Sequence, residues 1–131
     1  MSQENVEIVR RLYEVWNRSG GELSLESIDP GIEVEMVGGI LSGSYRGHAG
    51  LSKALNSFWD YFDEPHIDIE DCLENVDDVL VKVHYFARGK TSGVEVDLRG
   101  WHVWTLRGGK AVRWQVFGTE EEALEAAGLR R

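Results

Sequence analysis

The sequence is short of positive charge. Lys and Arg number 14 against 23 Asp and Glu, for a net charge of −9. A surface that coats nucleic acid, or one that lies on an anionic membrane, needs clustered cations, so both partners are unexpected here. Cysteine is almost absent. Cys72 stands alone, which excludes an intrachain disulfide and makes a reducing cytoplasm the simplest location. No apolar run approaches the ~20 residues of a membrane span. The opening stretch MSQENVEIVRR is amphipathic and lacks the apolar core of a secretion signal. There is no internal repeat or low-complexity tract. Phosphate loop, nucleophile elbow, Ser-x-x-Lys and dinucleotide fingerprint are all missing. His48, His66, His84 and His102 have no metal-ligand spacing, so neither a metal site nor a cofactor is expected.

What remains is an ordinary globular composition. With 131 residues, 42% of them apolar and 28% charged, the chain suits a single domain over residues 1–131. Val6, Val9, Tyr13 and Trp16 make a stripe at helical spacing, and RSGG ends that helix near Arg18. A short helical piece is expected around Leu23 to Ile28, closed by DPG, and IEVEMV reads as a strand. The glycine-rich GGILSGSYRG reads as a loop whose Ile40 and Leu41 suit a lid. A second helix fits Ala49 to Phe62, ended by Pro65. Strands are expected near His66–Glu74, Val79–Arg88, Val94–Arg107 and Ala111–Phe117. The links NVDD, GKTSG and RGGK are hairpin-like, so the meander is antiparallel. Thr119 and Glu122 form a capping-box pair for a last helix that Gly128 closes. Helices beside an antiparallel sheet define an α+β domain.

The stretch VEVDLRGWHVWTLRGGK poses a question about faces. Alternation puts Val94, Val96, Leu98, His102, Trp104 and Leu106 on one side of a strand. Glu95, Asp97, Arg99, Trp101, Val103 and Thr105 take the other, which mixes charge with apolar bulk.

The order and spacing of five stretches, IVRRLYEVWN, IDPGIEVEM, YRGHAGLSKAL, HVWTLRGGKAVRWQVF and EEALEAAGL, resemble the SnoaL-like branch of the NTF2-like superfamily. The resemblance covers nearly the whole chain. It implies a cone, a curved antiparallel sheet wrapped around N-terminal helices with an internal pocket. It also implies a homodimer through the outer sheet face. On that basis Val94, Val96, Leu98, His102, Trp104 and Leu106, with Phe117, are expected on the dimer face, and Asp97, Arg99, Trp101, Val103 and Thr105 inside the cone. The alternative reverses the faces: the apolar set packs on the helices and the charged set meets water.

The same resemblance suggests site residues. Glu35 falls about where ketosteroid isomerases of that superfamily carry their proton-abstracting carboxylate, and desolvation would suit it to the task. Leu12 and Trp101 take the places of that enzyme's two oxyanion donors, so steroid isomerisation itself is unexpected. Arg99 inside a cone would need Asp97 or Glu35 as partner, or would hold a ligand oxyanion. Trp101 and Trp114, with Tyr13, Trp16 and Trp59, would line a pocket for a flat apolar ligand, or simply fill it. Two functions follow. One is a cofactor-free isomerase, cyclase or dehydratase acting on a small cyclic molecule through Glu35 and Arg99. The other is a non-catalytic, homodimeric ligand-binding or scaffolding domain.

Overall fold

The computed structural model describes residues 2–19, 23–37 and 42–129, apart from the side chains of Ser2, Gln3, Phe58 and Trp59. Helix α1 spans Ser2–Ser19, and a 3-10 turn, Leu25–Ser27, leads into strand β1, Ile28–Met36. Strand β2, Gly43–Arg46, and helix α2, Gly47–Trp59, come next. The long strands β3 (Phe62–Asn75), β4 (Asp78–Gly89) and β5 (Glu95–Arg107) follow, then β6 (Lys110–Phe117) and the short helix α3 (Glu120–Ala126). These elements form the α+β arrangement expected.

The six strands make one open sheet in the order β2-β1-β6-β5-β4-β3. The meander β3 to β6 is antiparallel throughout. The sheet as a whole is mixed, because β1 runs parallel to β6. Part of the glycine-rich stretch read as a loop is β2, paired with β1 from Glu33↔Arg46 to Met36↔Gly43. Glycine and serine carry little strand propensity, so that pairing comes from β1 and not from local sequence. Ile40 and Leu41 lie outside the described residues. Pro65 does not end α2. It sits in β3 where the register shifts between Asp63 and His66, a place where a missing N–H costs no ladder bond.

Helix α1 buries Val9, Leu12, Tyr13 and Trp16 against the concave side of the sheet. Its C-terminal end is pinned to the edge strand β3. The Asn17 amide donates to the Ile67 carbonyl and accepts from the Ile67 N–H, both at 2.8 Å. These bonds occupy backbone groups that an edge strand leaves open. Helix α2 packs Leu51 and Ala54 into the same core, with Ile32 and Val34 of β1. Helix α3 closes the other side. Thr119 Oγ1 accepts from the Glu122 N–H at 3.3 Å, and Gly128, at φ 71°, turns the chain out of the helix. Ala123 and Ala127 of α3's face then cover Leu80, Val103 and Phe117 on the convex side.

This settles the two faces of β5. Trp104 and Leu106 belong to the concave core, and His102 shares their side. Val103 and Trp101 lie on the convex side, under and beside α3. The expectation that the apolar set forms a dimer face is therefore corrected, since Trp104 is completely buried within one chain. Phe117 is convex as expected, but α3 covers it. Both faces of β5 are apolar because helices bury both, α1 on one side and α3 on the other.

Candidate functional site

The concave interior gathers a polar chain on an aromatic floor. Trp104 and Trp114 are cross-strand partners on β5 and β6, stacked with ring centroids 4.9 Å apart at 9°. His102 lies two residues before Trp104 on the same face, edge-on to Trp114 at 5.6 Å. From α1, Tyr13 reaches down between them, 5.8 Å from His102 and 6.2 Å from Trp104. Trp104 Nε1 donates to Tyr13 Oη at 2.8 Å, and Tyr13 Oη lies 2.6 Å from His102 Nδ1.

Burial sets the protonation of these groups. Desolvation pushes the His102 pKa down from 6.5 to about 3, so the imidazole is neutral near pH 7. It raises that of Tyr13 well above the ordinary phenol range, so its proton stays on. The Trp114 indole N–H is buried and has no hydrogen-bond partner among the described residues. Such a group is costly unless something else supplies an acceptor.

Above this floor the interior is less filled. Gly100 continues the inner face of β5, where a β-carbon would meet, among the described residues, only Val83 Cγ2 at 3.6 Å. Leu98, next on that face and opposite Tyr85, is 48% exposed. The concave side thus runs from a buried polar floor to an apolar rim that solvent reaches.

The site residues expected from sequence divide by face. Tyr13, Trp16 and Trp114 lie in the concave core. The Trp59 side chain is outside the described set. Glu35 is corrected. Ile32 and Val34 take the concave side, so alternation turns Glu33 and Glu35 to the convex one. There Glu35 accepts from Gln115 Nε2 at 3.0 Å. Asp97, Arg99 and Trp101 are corrected likewise, because they alternate with His102 and Trp104. Asp97 bonds His84 Nε2 on the exposed face. Arg99 forks onto Glu70, at 3.0 and 3.5 Å, and onto neither carboxylate expected to hold it. Glu70 alternates with Ile67 and Ile69 of the concave core, so it shares the convex face with Arg99.

His102 and Trp104 are the functional candidates that the preferred reading of the strand missed. Their signal was available in the alternation of His102, Trp104 and Leu106. A hollow of about 660 Å³ opens on the convex side between the β3–β4 turn and α3. Its lining includes Glu33, Asp77, Asp78 and Glu125 together with Arg107 and Arg113. It is a wide, charged surface groove, unlike the buried floor with its unpartnered donor. Among the described residues no group of three His, Cys, Asp or Glu could hold a metal ion, and no helix is long and apolar enough to cross a membrane.

Comparison with known proteins agrees with this architecture. An NTF2-like protein of unknown function from Burkholderia pseudomallei K96243 superposes with a TM-score of 0.78 at 20% identity, covering 97% of this chain and 98% of its own. TerC, crystallised with polyporic acid, gives a TM-score of 0.78 at 23% identity over 95% and 97%. A protein from Jannaschia sp. CCS1 named as a SnoaL-like polyketide cyclase gives 0.75 at 19% identity over 97% and 92%. At these identities the likeness is one of fold. None of the curated proteins matches significantly in sequence. The family model described as SnoaL-like domain matches residues 9–114, most of the sequence, and the chain belongs to that family.

Proposed function

We propose that this domain binds a small, ring-shaped and mainly apolar molecule in its concave interior, with His102 engaging the molecule's polar atom. The observation that carries this is the unpartnered indole N–H of Trp114 beside a neutral, buried imidazole. Pockets for such ligands are apolar with a few placed polar groups, which is the composition of this floor and rim. A relative of the same fold crystallised with polyporic acid, and another named as a polyketide cyclase, support a small organic ligand. For an isomerase, cyclase or dehydratase without cofactor, the interior offers a neutral imidazole that polarises a carbonyl. Glu35 has no part in that reading, being on the convex side.

Titration with one- to three-ring apolar compounds, followed by tryptophan fluorescence, tests the proposal. A saturable change is expected, weakened at least about tenfold by Gly100→Val, which fills the space over His102. No saturable change with any compound overturns it.

A second reading, a homodimeric scaffold, draws on Trp101. Its indole is only half-buried on the convex face, leaving apolar ring surface that a second copy could cover. Sedimentation equilibrium at high micromolar concentration tests this: a dimer is expected, dissociated by Trp101→Ala, and a monomer removes the reading.

A further inference from the structure

The direction of the hydrogen-bond chain on the floor carries a consequence for ligand choice. An indole N–H can only donate, so at 2.8 Å the Tyr13 oxygen must accept from Trp104. Tyr13 has one proton of its own, and His102 Nδ1 lies 2.6 Å away. If His102 were protonated at Nδ1, the Tyr13 oxygen would receive two donors and its own proton would be buried with no acceptor among the described residues. That arrangement is costly. The favourable one has Tyr13 donating to an unprotonated Nδ1. A neutral imidazole then carries its proton on Nε2.

We propose that Tyr13 is a positioning residue that locks His102 in the Nε2–H tautomer, and that the interior therefore selects rings bearing a bare acceptor oxygen, such as a ketone or quinone carbonyl, over rings bearing N–H groups. This rests on the reading of the concave interior as a ligand site. Of the two donors on the floor, His102 Nε2–H is the one left to face a ligand, because Trp114 Nε1–H is fully buried. Among the described side chains there, the acceptor Tyr13 Oη is already used by Trp104 and His102. A ligand carbonyl satisfies a buried donor. A ligand N–H meets donors only and adds an unsatisfied group of its own. One such loss corresponds to about 10- to 100-fold in Kd.

The test uses three bicyclic probes of similar size, 1-indanone, indene and indole, titrated by calorimetry near neutral pH, with long-range proton–nitrogen NMR of His102. Expected are the Nε2–H pattern in the unaltered protein and tightest binding of 1-indanone, about 10- to 100-fold tighter than indole. In Tyr13→Phe the histidine signals should shift toward a tautomer mixture, and the ratio should fall below about threefold. A purely structural role for Tyr13 would weaken all three probes alike and leave the NMR pattern in place, which overturns the proposal. Equal binding of the three probes to the unaltered protein overturns the selectivity while the ligand-site reading stands. No binding at about 1 mM, a level that detects only ~4 kcal/mol of affinity, overturns the ligand-site reading and the selectivity with it. An Nδ1–H pattern in the unaltered protein overturns the lock by itself. That measurement stands even where Tyr13→Phe does not fold.

Discussion

The two faces of β5 are one residue apart in sequence and differ in every physical respect. On the concave face His102, Trp104 and Leu106 are buried, and His102 and Trp104 are hydrogen-bonded to Tyr13 of α1 across 89 and 91 residues of chain. On the convex face only the segment near Val103 is covered, by a helix of seven residues. Beyond it Asp97 and Arg99 sit in water, paired with His84 and Glu70. The contrast shows that apolar side chains on both faces of a strand need no second subunit. A short helix from the same chain is enough to bury Val103 and Phe117 on the second face.

Substitutions at matched positions should break that symmetry most. Trp104→Ala is expected to cost about 3–5 kcal/mol in urea unfolding, through lost packing and the lost hydrogen bond to Tyr13. Trp104→Glu, which would yield a folded monomer if Trp104 lay at a dimer face, is expected to abolish folding by burying a lone carboxylate. Arg99→Ala, five residues away on the other face, should change stability by less than about 1 kcal/mol, since its ion pair is exposed. Similar costs for Trp104→Ala and Arg99→Ala would reverse the assignment of faces.

Acid should sharpen the comparison next. The His102 pKa is depressed in the folded protein, so below 6.5 the unfolded chain takes up a proton that the folded one refuses until about pH 3. This contribution is therefore neutral above pH 6.5 and turns against folding as pH falls toward 3, by up to ~1.4 kcal/mol per pH unit. Stability measured from pH 7 to 4 should fall less steeply in His102→Gln than in the unaltered protein. Parallel curves would mean that the imidazole is not sealed.

A smaller effect than that at Trp104 concerns the helix over Val103. Thr119→Ala removes the α3 cap and is expected to cost about 1 kcal/mol. Its signature would be faster amide exchange in α3 with the concave core unchanged. Loss of protection on both faces together would show that α3 is integral to the main core.

Much of this molecule could be read along the chain. The stripe Val9, Tyr13 and Trp16 marks α1, and Thr119, Glu122 and Gly128 bound α3, because these signals are local. The alternation of Glu33 and Glu35 against Ile32 and Val34 was legible too, and it places the carboxylates opposite the core. Analogy with an isomerase drew Glu35 inward against that pattern. Strand β2 escaped because its glycine and serine give a weak local strand signal, and Glu70 escaped because which strands stand next to Arg99 is a matter of sheet topology.

Side-chain period and turn chemistry alone determined which residues share a face, where hairpins turn and that the chain builds an α+β domain. Only tertiary packing decided which face looks inward, because α1 and α3 cover opposite sides of one strand, the first with large side chains and the second mainly with alanines. The same packing joined Tyr13 to His102 and Trp104. Hydrogen-bond direction and desolvation exist only once those three groups meet.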